Sequence, residues 1–291
     1  MMAESPIEAE KAWRRLLPDA DYRLPMNLRA GDAARFWRHS EEAGAVLAER
    51  RRWMEAEPER YFGWVPGSTE AAAEVEVEVE VEVEVVSWLA AVTGQTFAGP
   101  AEAACGVEPD WAVLSGEATL GFPVLGGAVI FPSGWALEEK LGRPLAAVHV
   151  PVPGLESALG AQIGTFLARI APGAAWERDN WGLSADPALN QHPSRPVRRL
   201  TADATLAETW LRLEQQFLTR LPLSGAILFG IRVTNHRLDQ LVAEFPAAGP
   251  RLARALATMP DQLAAYKGLA PARLALVGQL RALSPADSRE A

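Results

Sequence analysis

The sequence predicts an α+β fold in which helical regions flank an antiparallel sheet. Three observations predict it. The first third repeats apolar residues at helical spacing, the middle breaks into short apolar runs bounded by Gly and Pro, and short helices return after Arg237. The expected organisation is one domain over residues 1–283, with a helical part at 1–95, a sheet core at 107–235 and a helical part at 237–283. A disordered tail is expected at 284–291.

The first element spans Asp32 to Glu57, where Phe36, Ala43, Leu47 and Met54 form one apolar stripe. Asp32 is the expected N-cap, and Pro58 closes the segment. A six-fold Glu-Val repeat follows from Glu74 to Val85. Strict alternation is a strand signal, but the flanks Ser68 to Ala73 and Ser87 to Gly94 look like the two ends of a helix. On a helix, Val77, Val81, Val85, Leu89 and Val92 stack into one stripe, which favours helix. The repeat reads as low-complexity drift and not as a site.

Short strands are expected at Asp110 to Ser115 and Gly127 to Phe131, and a helix at Leu155 to Ile170. Between Trp210 and Arg232, an alternating run and a continuously apolar run flank Leu221-Pro222-Leu223-Ser224-Gly225. That pattern predicts an antiparallel hairpin whose second strand, Ala226 to Ile231, is central in the sheet.

Composition excludes several functions. A net charge of -9 with only short basic runs, Arg50 to Arg52 and Arg198-Arg199, argues against nucleic acid as a partner. Met1 to Lys11 is polar and acidic, so no signal peptide is expected, and the apolar stretch near Ser224 to Ile231 is too short to span a bilayer. Cys105 is the single cysteine, which rules out an internal disulfide or a four-cysteine cluster held by one chain. It is expected to be a small buried or turn residue. The expected compartment is the cytoplasm.

Four histidines are present, none paired with another at metal-ligand spacing. His39 is expected on the surface of a charged helix, His192 in a loop and His236 at a strand end, the last two as turn residues and not ligands. His149 differs, because Ala146 to Gly154 surrounds it with apolar residues and two prolines. A neutral imidazole in such surroundings is either a satisfied core histidine or an axial ligand of heme iron. Phe131-Pro132-Ser133-Gly134-Trp135 lacks a Gly before its Ser and is no nucleophile elbow; Ser133 and Gly134 read as a turn. In Arg178-Asp179-Asn180-Trp181, an extended backbone puts Arg178 and Asn180 on one face, as an ion pair or an anion contact.

Phe131 to Trp135, Lys140-Leu141-Gly142, His149 to Gly154, Arg178-x-Asn180-Trp181, Arg220 to Phe229 and Tyr266-Lys267-Gly268 resemble, in order, signature blocks of the heme-dependent oxidative N-demethylase family. The resemblance implies a PAS-like fold that binds heme and uses O2 to oxidise a small methylated amine, releasing formaldehyde. It implies His149 as the proximal iron ligand, and Arg178, Lys140, Arg220 and Arg232 as candidates for the propionates. It also implies a separate flavin/iron–sulfur reductase subunit as electron donor. Glu108, Asp110 and Glu214 are the carboxylates considered for the proton of the amine. The family pattern has Glu-Arg-Gln where this chain has Glu214-Gln215-Gln216, one cation fewer. A heme-binding sensor or interaction module without turnover is the competing reading.

Overall fold

In the computed structural model, residues 13–24, 26–65 and 81–283 are described. The tail expected at 284–291 and the Glu-Val repeat before Val81 lie outside them. Seven strands form one antiparallel sheet in the order β1-β5-β6-β7-β3-β4-β2. They are β1 (Arg29–Ala30), β2 (Phe62–Trp64), β3 (Asp110–Leu114), β4 (Val124–Ala128), β5 (Ala175–Ser184), β6 (Trp210–Arg220) and β7 (Ile227–Arg237). The fold is α+β, with helices before, between and after the strands.

The expected hairpin is β6–β7, the longest pairing, with Arg220 opposite Ile227 and Trp210 opposite Arg237. Gly225 closes its turn at φ +69, a left-handed conformation that only glycine takes without strain. β7 lies in the middle of the sheet, between β6 and β3, which explains its continuous apolar run. Gly230 is required there: a Cβ would come within 2.8 Å of both Phe36 and Trp37.

The helix expected from Asp32 to Glu57 is two helices, α1 (Ala33–Trp37) and α2 (Ala43–Ala56). Asp32 caps α1 by accepting from the Arg35 N–H. Before the break Phe36 stacks on Phe217 and Trp37 meets the same ring edge-on, while Leu47 of α2 is buried as well. Pro58 does end α2, but it also starts the single turn α3 (Pro58–Tyr61). The strand expected at Gly127 to Phe131 sits earlier, as β4, because Ile130 and Phe131 turn out of the sheet and donate to Asp110.

The described end of the repeat is helical, in α4 (Val81–Thr93). Val81, Val85 and Leu89 are buried as one stripe, and Val83 is exposed. Glu84 is buried as well and accepts from the N–H groups of Leu223 and Ser224, in the β6–β7 turn. That glutamate therefore clamps the hairpin, a role the reading of the repeat as drift did not foresee.

α5 (Pro100–Gly106), α4 and the helices before them cover one sheet face around Trp111, Val113, Phe217 and Leu228. The far end of that face, at Trp181 and Leu211, is covered by α8 (Leu238–Glu244), α9 (Ala248–Thr258), α10 (Asp261–Tyr266) and α11 (Arg273–Ala282). The opposite face is covered at Leu218 and Phe229 by Val148, at the end of α6 (Leu145–His149), and by α7 (Ala161–Arg169). A π-helical turn, Glu156–Gly160, leads into α7.

Candidate functional site

Strand alternation puts Trp176, Arg178 and Asn180 of β5 on one face, opposite Leu218, Gln216 and Glu214 of β6, which face Phe229, Ile231 and Val233 of β7. The apolar end of this face, Trp176, Leu218 and Phe229, lies under α6 and α7. The polar end carries Arg178, Asn180, Glu214 and Gln216, all half-buried. This is the side of the sheet on which the sequence placed Arg178 and Asn180 together.

His149 ends α6, half-buried. Its neighbour Val148 packs on the Trp176–Phe229 cluster, and Val152 packs on the C-terminal helices, so His149 stands at the seam between the two. Burial holds the imidazole below the usual histidine range; Glu156 opposes this and the positive charge of Arg178 adds to it. The ring is thus neutral near pH 7, with a lone pair to give.

Glu214 is the centre of the polar end. Its Oε2 accepts from Asn180 Nδ2 at 3.2 Å and from Gln216 Nε2 at 3.0 Å. Burial lowers the Arg178 guanidinium, and Glu214 then Asp179 pull it back up. Lys267, just after α10, donates to the Trp181 carbonyl at 2.7 Å. Burial lowers its ammonium too, with Glu214 raising it and Arg178 lowering it further. Arg212 sits on the same face of β6 as Glu214; burial pushes it down to about 10, against the pull of Glu214 and Asp110. Tyr22, edge-on to Trp181 at 6.1 Å, has its phenol pushed up to about 12 by burial, with Arg178 lowering it. Tyr266 is raised by burial and by Glu214. Three cations, Arg178, Arg212 and Lys267, therefore act on one carboxylate.

Of the other cations picked from sequence, Arg220 donates to the carbonyls of Ile170, Gly225 and Leu167. Arg232 points from the other face of β7 and bonds Glu108 and the carbonyls of Phe36 and Arg38. Lys140 is half-buried in a turn. The structure gathers His149 and Arg178 and leaves Arg220 and Arg232 in structural bonds away from them. Two of the three carboxylates are likewise committed: Glu108 to Ser40 and Arg232, and Asp110 to Arg50 and to the N–H groups of Ile130 and Phe131.

Among the histidines, His39 departs from its expected place, while His192 and His236 lie in a loop and at a strand end as expected. His39 is not on a helix; it follows α1, half-buried, within 3.0 Å of the Gly106 carbonyl. His192 is in a loop as expected, yet buried. His236 lies on β7 beside Thr234, and burial lowers it, Glu244 opposing. Cys105 ends α5 half-buried, its thiol raised by burial. Ser133 and Gly134 do form a turn, with Gly134 at φ +77, and Ser133 Oγ accepts from Arg212 Nε at 2.7 Å.

Sequence reading missed Lys267, Tyr22 and Arg212. Lys267 lies within a quoted block, but its role depends on a return of the chain over the sheet. The missing cation of Glu214-Gln215-Gln216 has a geometric reading: Gln215 pairs with Asp179 and Arg232 on the opposite face from Glu214 and Gln216. There Arg29 and Arg15 already hold Asp179. The departure leaves the polar face of Glu214 unchanged.

A groove of about 540 Å³ runs between α7 and Trp176, lined by Phe166, Ile170 and Arg169 among others; neither His149 nor Arg178 lines it. Chemistry, not this cavity, marks the site. A neutral imidazole, excess positive charge and an apolar strand face suit a flat apolar group that bears carboxylates and takes a nitrogen lone pair. Among the described residues, no group of three or more His, Cys, Asp or Glu is placed to hold a metal ion, and no helix is long and apolar enough to cross a membrane. A family model described as haem-dependent oxidative N-demethylase, alpha subunit-like, matches residues 93–277, which contain every block from Phe131 to Gly268. That match spans more than half of the chain, from the end of α4 to α11, and this protein belongs to the haem-dependent oxidative N-demethylase, alpha subunit-like, family.

Proposed function

We propose that this chain binds heme through His149 and oxidises a small methylated amine with O2, releasing formaldehyde. The observation that carries the proposal is the family match together with a neutral His149 at the seam of the face that bears Arg178 and Glu214, with Lys267 within electrostatic reach of both. The residues present fit the cofactor. His149 would hold the heme iron through its neutral ring nitrogen, and Arg178 and Lys267 would neutralise the propionates through charge-assisted hydrogen bonds. Lys140, Arg220 and Arg232, the other candidates from sequence, are not needed for this.

Heme supplies the oxygen chemistry when bound. The chain supplies binding and orientation. The surplus of positive charge around Glu214 disfavours a second cation, so an amine is held in its neutral form, with its lone pair free. Glu214, oriented by Asn180 and Gln216, would accept a hydrogen bond from the amine N–H. The single cysteine of this chain cannot hold a cluster, and we assign the electron supply to a separate flavin/iron–sulfur reductase. That assignment accords with the alpha-subunit description of the family.

The test is an ultraviolet–visible titration of the purified protein with heme. The wild-type protein and His39→Ala should give a stable Soret band with histidine ligation, and His149→Ala should lose it. An unchanged band and ligation in His149→Ala would remove the ligand assignment.

A further inference from the structure

The loop between β5 and β6 carries a hydrogen-bonded chain that the heme reading does not use. Ser194 is exposed, and its Oγ lies 2.8 Å from His192 Nδ1. His192 Nε2 lies 3.0 Å from Glu138 Oε1, in the turn after Trp135. The tautomer follows from a third contact. The Ser194 backbone N–H donates to Nδ1 at 3.2 Å, so Nδ1 is an acceptor, the ring proton is on Nε2, and it donates to Glu138. A basic nitrogen therefore faces the hydroxyl, and a carboxylate orients the ring from behind. These are the roles of a nucleophile, base and orienting acid, with the two ring nitrogens exchanged relative to the usual order.

The loop is held in this form by several ties. Asn190 Oδ1 accepts from the His192 N–H at 3.0 Å, and the Arg195 N–H donates to the His192 carbonyl at 2.8 Å. Arg195 reaches across to the Tyr61 hydroxyl, at 3.0 Å from Nε and 2.6 Å from its terminal nitrogen. The Tyr61 ring packs edge-on to His192 at 5.7 Å. The His192 side chain is only 4% exposed, so the base is shielded while the hydroxyl it serves faces solvent.

We propose that Ser194, His192 and Glu138 form a second, nucleophilic site that accepts an acyl group from an activated ester. Ser194 Oγ attacks the acyl carbon as its proton passes to His192 Nδ1. The new Oγ–C bond replaces the C–O bond to the leaving group, which departs with that electron pair. Water then hydrolyses the acyl-serine to the free acid and serine. No oxidant or cofactor enters the balance. Glu138 is a positioning residue, acting through His192.

The experiment incubates the full-length protein with p-nitrophenyl acetate, following p-nitrophenolate release and mapping the acetyl group by peptide mass spectrometry. The expected result is acetyl on Ser194, a rate at least tenfold lower in Ser194→Ala, and a several-fold lower rate in Glu138→Gln. Ser194 is exposed and its replacement leaves the packed core untouched, so folding does not confuse the comparison. Imidazole ¹⁵N resonances should show Nε2 protonated and Nδ1 bare in the wild-type protein, and a changed tautomer balance in Glu138→Gln. Equal rates in wild type and Ser194→Ala, acetyl found only on other residues, or a proton on Nδ1 would each overturn the proposal.

Discussion

At the scale of the residue, what decides a role is the set of groups that the fold brings within reach. The partial burial of the His149 ring was legible, because prolines and apolar neighbours crowd its own segment. Arg178 was legible because a strand fixes which side it faces. Arg220 bonds the carbonyls of Leu167, Ile170 and Gly225, and Arg232 bonds Glu108 and the carbonyls of Phe36 and Arg38, a set of partners that no local pattern reveals. Lys267 and Tyr22 come to Trp181, close to Arg178, from opposite ends of the chain, so no local pattern marks them. The same logic separates the three carboxylates. Glu108 and Asp110 answer arginines and backbone N–H groups, whereas Glu214 meets Asn180, Gln216 and an excess of cations. Glu214→Gln should therefore keep the heme spectrum and raise KM for the amine at least tenfold, about 1.4 kcal/mol of lost binding. Steady-state kinetics on heme-loaded protein measure this, and an unchanged KM would take the amine away from Glu214.

At the scale of the element, the Glu-Val repeat shows why alternation alone misleads. Over its described end, Val81 to Val85, the strand-like period gives way to helix, and the buried Glu84 serves the hairpin turn. In α4 the substitutions sort by face. Val83→Ala, on the exposed side, should raise stability by about 0.5 kcal/mol through better helix propensity. Val85→Ala should cost about 2 kcal/mol by leaving a void under the helix. Glu84→Ala should cost about 1–3 kcal/mol, because two turn N–H groups lose their acceptor. Urea unfolding of the three variants checks the order; a neutral Glu84→Ala would mean that water replaces the carboxylate. The boundary between α1 and α2 was not legible, because the seven-residue spacing from Phe36 to Ala43 reads the same through a helix or across a turn.

At the scale of the whole molecule, the order of helices, antiparallel sheet and helices was legible from periodicity, and so was the central place of β7. The sheet order was not, since β3 joins β7 across more than a hundred residues. Burial of two neutral histidines gives the molecule a pH dependence. His149 and His236 bind protons less readily when folded than when unfolded, so the unfolded chain takes up more protons as pH falls. Stability is full above the unfolded value of about 6.5 and declines below it. The melting temperature should fall between about pH 7.5 and pH 5.5, and His236→Asn should fall less. Thermal unfolding at the two pH values measures both. The central claim, that this sheet face serves oxidative demethylation, is tested most directly by formaldehyde release and oxygen uptake. The assay uses heme-loaded protein with dimethylamine and a competent flavin/iron–sulfur reductase. Reduced nicotinamide alone should give negligible turnover, and adding the reductase should give formaldehyde with matching oxygen consumption. Heme that is bound and reduced, with no formaldehyde from any methylated amine, would contradict the account and leave a heme-binding module without turnover.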